Sequence, residues 1–596
     1  MDIFGILAMV GGLALFLYGM QVLGDGLKRT SGGRLEEILE SLTSNKWKGA
    51  LLGCVVTAVI QSSSATTVMV VGLVNSGIMK LTQAAGVILG ANVGTTVTSW
   101  MLSLTGIESS NVFVQLLKPA NFSPIVGIIG VIMLMTAKND KKKDIGTILI
   151  GFAVLMFGME TMSGAVAPLA DNEKFTGMLT LFSNPLFGLL AGTVLTAVIQ
   201  SSSASVGILQ ALCVTGAVNY ATAIPIIMGQ NIGTCVTALI SSVGAKKNAK
   251  RASMIHLYFN MIGTVIFMVI FYSLNMFVHF EFLSIPANAA GIAVIHSLFN
   301  IGCVIILFPF SNLLVKLATL SIPDGKHEEV IQTGVAADLA ALDERFLETP
   351  AVAMELCRNT AVKMAHLSQK ALDKALDIIN NYSDAAYDEV VAMEEDVDKY
   401  EDKLGSYLVK VGNCDLSRHD NHTFSILLHC MSDFERISDH AINIAKSAKE
   451  MNSRESSFSQ NARKELETFA KAVHDIVGNT VQVFENQDIE AAKHIEPLEQ
   501  VIDGLNLEIK QRHINRLRKG RCTIETGLIL EDIMTNFERV SDHCSNIAVC
   551  MIEVRDNGFE THGYLEHLTN EDNPQFAKEC RDYYKQYQLP ELKKAD

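Results

Sequence analysis

Two stretches of the chain place the same polar group in apolar surroundings. Thr57–Thr67 reads TAVIQSSSATT and Thr196–Val206 reads TAVIQSSSASV. A glutamine followed by three serines offers hydroxyls that both donate and accept, and an amide carbonyl, but no charge. Helix-terminal N–H groups at such a turn favour an anion. Hydroxyl oxygens, backbone carbonyls and the carbonyls of Gln61 and Gln200 suit a small hard cation. Asn92, Thr95, Asn231 and Thr234 lie on glycine-interrupted segments, where helices are expected to unwind and release further carbonyls. Polar groups in hydrocarbon must find partners, from the protein or from a ligand.

The surroundings of these residues are a membrane. Residues 1–320 carry 17 Lys and Arg against 12 Asp and Glu, while the remainder carries 31 against 51. No charge occurs from Phe175 to Ala245, far more than the ~20 residues one membrane helix needs. A multi-spanning domain over 1–320 is therefore expected, followed by a linker at 321–348, marked by Pro323 and Gly325, and an acidic soluble half. The N-terminus lacks a basic n-region and reads as a first membrane helix. Eleven cysteines without a CxxC pair suggest reduced thiols in the cytosol.

The duplication extends beyond the serines. An offset of 139 also aligns GANVGTTVT (Gly90–Thr98) with GQNIGTCVT (Gly229–Thr237), Gly12 with Gly151, and Gly19 with Gly158. The basic loops Lys28–Lys48, Lys138–Lys143 and Lys246–Arg251 all have non-basic repeat-mates, so the positive-inside rule gives the two copies opposite orientations. Crossings are expected near 5–27, 82–103, 113–136, 145–166, 221–243, 252–274 and 288–314. Segments 49–76 and 188–215 must each begin and end on one side. With arms of about 13 residues, roughly 20 Å, they read as re-entrant hairpins with the serines at their tips.

An absence decides the chemistry. No Lys or Arg lies in the middle of any expected span or hairpin. An anion at that depth finds no fixed cation, so co-bound cations must balance it, the basis of cation-coupled symport. No GxxxxGK[ST] loop occurs, which argues against ATP-driven transport. No nucleophile–base constellation points to an enzyme. His256 and His296, in IHLYFN and IHSLFN, are expected to bond between helices.

The membrane half, with QSSSATT, QSSSASV, GANVGTT, GQNIGTC and the HxxFN helices, resembles the type II sodium–phosphate cotransporters. The resemblance implies phosphate at Ser62, Ser63, Ser64, Ser201, Ser202 and Ser203. It implies sodium ligands among Gln61, Thr66, Gln200 and Ser205, with Asn92, Thr95, Asn231 and Thr234 as further candidates. The HxxFN expected after the first GxNxGT is absent, since Asn121–Ile125 reads NFSPI.

The soluble half, 349–556, has helical periodicity and its own repeat: DFERISDHAINIA (Asp433–Ala445) matches NFERVSDHCSNIA (Asn536–Ala548). Glu394 and Asp398 pair in the same way with Glu499 and Asp503. Each copy fits a three-helix bundle. Glu435, Asp439 and Asn443, and Glu538, Asp542 and Asn546, are spaced by four, which sets oxygen ligands in a row. This half resembles PhoU, and the resemblance implies metal binding by these clusters, with the metal's identity open. A charged tail, 557–596, is expected to be loosely ordered.

The fold class expected is therefore all-α: two inverted membrane repeats with re-entrant hairpins, plus a cytoplasmic helical bundle. The function expected is sodium-coupled symport of phosphate across the cell (inner) membrane, with a regulatory bundle docking on the basic loops. A phosphate exporter and a membrane-anchored phosphate sensor are the alternatives. Expected partners are phosphate, sodium and lipid, with a homodimer or a phosphate-signalling protein beyond them and no nucleic acid.

Overall fold

The computed structural model describes residues 3–31, 46–106, 119–172 apart from 138, 175–213 apart from 176, 178 and 180, 215–323, 334–556 and 574–590. The chain divides into two compact units. The first holds residues 1–332 and Asp343–Ala353; the second holds Thr333–Leu342 and Met354–Asp596. Among the described residues both are built from helices, joined by turns and one isolated bridge between Asn219 and Pro286. Much of the basic loop Lys28–Lys48 lies outside the described residues, as does all of 107–118.

The first copy of the membrane repeat contains α1 (Ile3–Ser31), α2 (Lys46–Ile60), α3 (Ser63–Ser76), α4 (Leu81–Gly94), α5 (Thr96–Ser103) and α6 (Pro119–Thr136). The second contains α7 (Asp140–Val166), α8 (Pro185–Ile199), α9 (Ser202–Cys213), α10 (Tyr220–Ser241) and α11 (Lys247–Val278); α12 (Ala289–Leu307) and α13 (Ser311–Ser321) follow. Among the described residues, six helical segments are long and apolar enough to cross a membrane: Ile3–Thr30, Leu81–Ser103, Lys141–Leu169, Tyr220–Ser241, Lys247–Val278 and Ala289–Leu307. Asparagines set several starts, because a side-chain oxygen at the N-cap accepts an orphan backbone N–H. Asn184, Asn219 and Asn288 do this for α8, α10 and α12.

Glycines decide how the copies pack. A Cβ on Gly53 would lie 2.0 Å from the Val87 carbonyl, and one on Gly192 would lie 2.1 Å from the Ile226 carbonyl. Gly90 against Ala50 (1.8 Å) is mirrored by Gly229 against Leu189 (2.0 Å). Each of these positions and contacts has its partner 139 residues on, so α2/α4 and α8/α10 are the same backbone-to-backbone pair built twice. The repeat-mates α1 and α7 run antiparallel. Gly12 sits on the Gly158 carbonyl, while Gly19, the repeat-mate of Gly158, sits on the carbonyl of Gly151, the repeat-mate of Gly12. Such crossed pairing is what a two-fold relation between the copies gives.

The glycines do not unwind the helices as expected. α10 is continuous through Asn231 and Thr234, and in the first copy only the helical residue Thr95 separates α4 from α5. Without side chains between them the backbones approach closely.

In the second unit α14 (Val335–Ala340) precedes a first set of three helices, α15 (Pro350–Ile378), α16 (Asp384–Val411) and α17 (Arg418–Ser453). A second set follows, α18 (Gln460–Asn486), the short α19 (Ile489–Ala492), α20 (Ile495–Arg518) and α21 (Ile524–Asp556). The sets meet through α17 and α21, the two motif helices. His440 Nδ1 pairs with Asn536 Oδ1 and its repeat-mate His543 with Asp433, each at 2.8 Å. Phe434 and Phe537, also mates, stand edge-on to Phe484 and Phe469 in the core. Part of the tail is ordered, against expectation: α22 (Pro574–Gln586) packs on α20. Tyr584 lies on Gly504, where any side chain would clash, and Tyr587 is buried and donates to Asp475 (2.6 Å). Residues 557–573 lie outside the described part.

Candidate functional site

Both QSSS motifs fall where a helix stops and another starts. Gln61 and Gln200 have φ of 60° and 59°, a left-handed conformation that side chains rarely adopt and that costs about 1–2 kcal/mol. Each is held there by its N–H, which donates to the carbonyl of Thr57 (2.8 Å) or Thr196 (2.7 Å). The next serine caps the following helix: Ser62 Oγ accepts from Ala65 N (3.1 Å), and Ser201 Oγ from Ala204 N (3.2 Å). Ser63, Ser202 and Ser203 are buried in the first turns of α3 and α9; Ser62, Ser64 and Ser201 are half-buried. Each tip thus presents a helix N-terminus, with its positive dipole end, framed by hydroxyls.

The two tips differ in one respect. In the first copy Thr57 Oγ1 donates to Thr66 Oγ1 (3.0 Å), and Thr98 Oγ1 donates to Gln61 Oε1 (2.7 Å), with Gln61 buried. The equivalent atoms of the second copy, Thr196 Oγ1, Ser205 Oγ and Thr237 Oγ1, are buried without a partner, and Gln200 is exposed. Gln230, fully buried on α10, also has neither amide atom bonded. It shares a face with Thr237, seven residues on. Each such orphan costs roughly 1–3 kcal/mol.

The outer candidates are less available. Asn92 and Asn231 donate to the carbonyls of Ile88 and Ile227, and Thr95 and Thr234 to those of Ala91 and Gln230, each one turn back. Of the histidines, His296 bonds across helices as expected, Nδ1 to Ser99 Oγ at 2.7 Å. Both ring nitrogens of His256 lack a partner. Gln230, Thr196 and Thr237 were not singled out by the sequence reading. The difference between GANVG and GQNIG, an alanine exchanged for an amide, is the signal that marks Gln230.

In the second unit the carboxylates gather unequally. Donor oxygens of Glu499, Asp503 and Asp542 lie within 4.8 Å of one another, and Glu499 Oε2 is buried without a partner. Burial and then the carboxylates of Glu496, Asp503, Asp542 and Glu538 push Glu499 up to about 8. These clustered carboxylate oxygens fit a hard divalent cation. Glu538 instead accepts from Asn506. In the first set Arg436 lies 3.6 Å from both Glu435 and Asp439, and burial with Asp439 and Glu401 still pushes Glu435 up to about 7. Asn443 Oδ1 accepts from Lys446 (3.4 Å), and Asn546 is exposed.

Comparison with known proteins identifies the family of each half. The family described as Na+/Pi-cotransporter matches residues 15–164 and 154–285, and the PhoU domain matches 361–448 and 466–551. YqeW, an uncharacterized protein of Bacillus subtilis, is 30% identical over 52% of this chain and 96% of its own length. YjbB of Escherichia coli K12, named as a candidate inorganic phosphate export protein, is 21% identical over 92% of this chain and 98% of its own. The rat sodium-dependent phosphate transport protein 2A is 34% identical, over only 16% of this chain and 15% of its own length. A crystal structure of PhoU from Pseudomonas aeruginosa aligns over 34% of this chain and 97% of that one, at 18% identity and a TM-score of 0.33. The chain is a phosphate transporter homologue of the membrane, belonging to the Na+/Pi-cotransporter family and carrying a PhoU domain.

Proposed function

We propose that the protein carries inorganic phosphate across the cell membrane together with sodium, from a site made by the two serine tips. The observation that carries this reading is the inequality of the tips. The first closes on itself, while the second buries Thr196, Ser205 and Thr237 oxygens that lack partners and suit sodium. Ser62–Ser64 and Ser201–Ser203 take the phosphate oxygens at the helix N-termini, and Gln61, Thr66, Gln200 and Ser205 complete the cation shell. Asn92, Thr95, Asn231 and Thr234 serve in an outer layer. With no Lys or Arg in either hairpin, sodium supplies the balancing charge. The inverted repeats and re-entrant hairpins give alternating access, a reading supported by the crossed glycine pairs of α1 and α7. The PhoU bundle lies on the cytoplasmic side of the inner membrane and regulates transport, with a divalent cation held by Glu499, Asp503 and Asp542. The protein is not an enzyme.

Purified protein in liposomes should take up phosphate when a sodium gradient is imposed, and not when potassium or protons replace it. Uptake driven by protons alone would overturn sodium coupling. Binding without flux in an inserted protein would favour the sensor reading. The name of its Escherichia coli relative supports net export as a second reading of the same site. Initial rates under gradients imposed in each direction separate the two.

A further inference from the structure

Between the units the chain makes a detour. Thr333–Leu342 packs with the second unit, Asp343–Ala353 with the first, and Met354 onward with the second again. The middle piece is built into its place. Asp343 caps the 3-10 turn Glu344–Glu348 through Arg345 N (3.0 Å). Its Oδ2 accepts from Asn75 Nδ2 and from Arg345 Nη1, both at 2.6 Å. Arg345 Nε donates to the Ser241 carbonyl at the end of α10 (2.8 Å). Asn75 Oδ1 accepts from the backbone N–H of Lys246, at the start of α11 (2.8 Å). Beside these ties Phe346 is fully buried, its ring against Gly72 of α3, where a Cβ would come within 3.0 Å. The second copy has Ala211 and Val214 at the positions of Gly72 and Asn75, so its sequence lacks the glycine and the amide that meet the strap in the first.

We infer that Asp343–Thr349 is a strap whose docking site is the slot formed by α3, the end of α10 and the start of α11, and that its docking restrains transport. It rests on the transport reading above. α3 is the helix capped by Ser62, so tying its far end to α10 and α11 fixes the arm that carries the first tip. A carrier must visit two states, and whatever stabilises one depletes the other and slows turnover. Because the chain before Asp343 and again from Met354 belongs to the second unit, a change in that unit reaches the strap through the chain itself.

The test uses the full chain in liposomes. Phe346→Ala and, independently, Gly72→Ala should each raise initial phosphate flux 3- to 10-fold. A disulfide joining Asn75→Cys to Asp343→Cys should cut flux below a tenth of the wild-type rate, with recovery on reduction. Unchanged flux in the cross-linked protein, or unchanged flux in both loosened variants, overturns the strap. Docking is read separately by maleimide labelling of Thr349→Cys, a buried strap position that leaves Phe346 in place, located by mass spectrometry. Slow labelling that Asn75→Ala accelerates at least tenfold supports docking, and fast labelling in the otherwise wild-type chain overturns it. A wild-type chain that carries no flux but labels slowly would fail the transport reading and leave the docked strap standing.

Discussion

Thr57 and Thr196 are the same residue at the same place in two copies, yet only Thr57 has a hydroxyl partner. Thr57→Val should therefore destabilise the sodium-free protein by about 1 kcal/mol, the usual worth of a hydrogen bond. Thr196→Val should leave it unchanged or stabilise it, because it deletes a buried orphan, while raising the sodium concentration for half-maximal transport at least tenfold. Thermal unfolding in detergent without sodium, paired with flux titrations, separates the two. Equal effects at both threonines would remove the distinction between the tips. The serines and glutamines were legible in the sequence because two uncharged QSSS runs recur at one offset in apolar segments. Gln230 was not, because one amide at one position looks like ordinary variation until its burial without a partner is seen.

The helices themselves were legible in the long apolar runs, while their ends are set by asparagine caps and by Gly77 at φ 89°. The use of the glycines was not. Gly90, Gly94, Gly229 and Gly233 suggested unwinding, and instead they let neighbouring helices approach backbone to backbone. Packing of this kind depends on what lies across the interface, which a helix's own sequence does not state. Gly90→Ala, whose Cβ would lie 1.8 Å from the Ala50 carbonyl, should destabilise the folded protein by about 2–3 kcal/mol or prevent its insertion. Gly11→Ala, with nothing within 4 Å, should be silent. Size-exclusion profiles and melting temperatures of both variants test this. A mild Gly90→Ala would mean that the two helices can part readily.

At the scale of the whole chain the charge split foretold two units, but not that Asp343–Ala353 returns to the first of them. The acidic second unit makes a pH prediction. Glu499 and Glu435 are raised by burial and neighbouring carboxylates to about 8 and about 7. The folded state then holds more protons than the unfolded one between pH 4.5 and 8, so stability falls as pH rises through that window. The protection of α20 and α21 against hydrogen exchange, taken relative to the intrinsic base-catalysed rate at each pH, should fall from pH 6 to 8 in the intact protein. Millimolar Mg²⁺ or Mn²⁺ should reverse this while releasing protons, since the cation takes their place. Protection that ignores both pH and divalent cations would argue against a metal at Glu499, Asp503 and Asp542. The unlike tips carry a last consequence for a carrier that works as proposed. Empty, the first hairpin rests on its own bonds, whereas the second is comfortable only when filled, so the unloaded carrier returns reluctantly. Swapping one phosphate for another across the bilayer should outrun net accumulation, and labelled phosphate should equilibrate between compartments well before any pool grows.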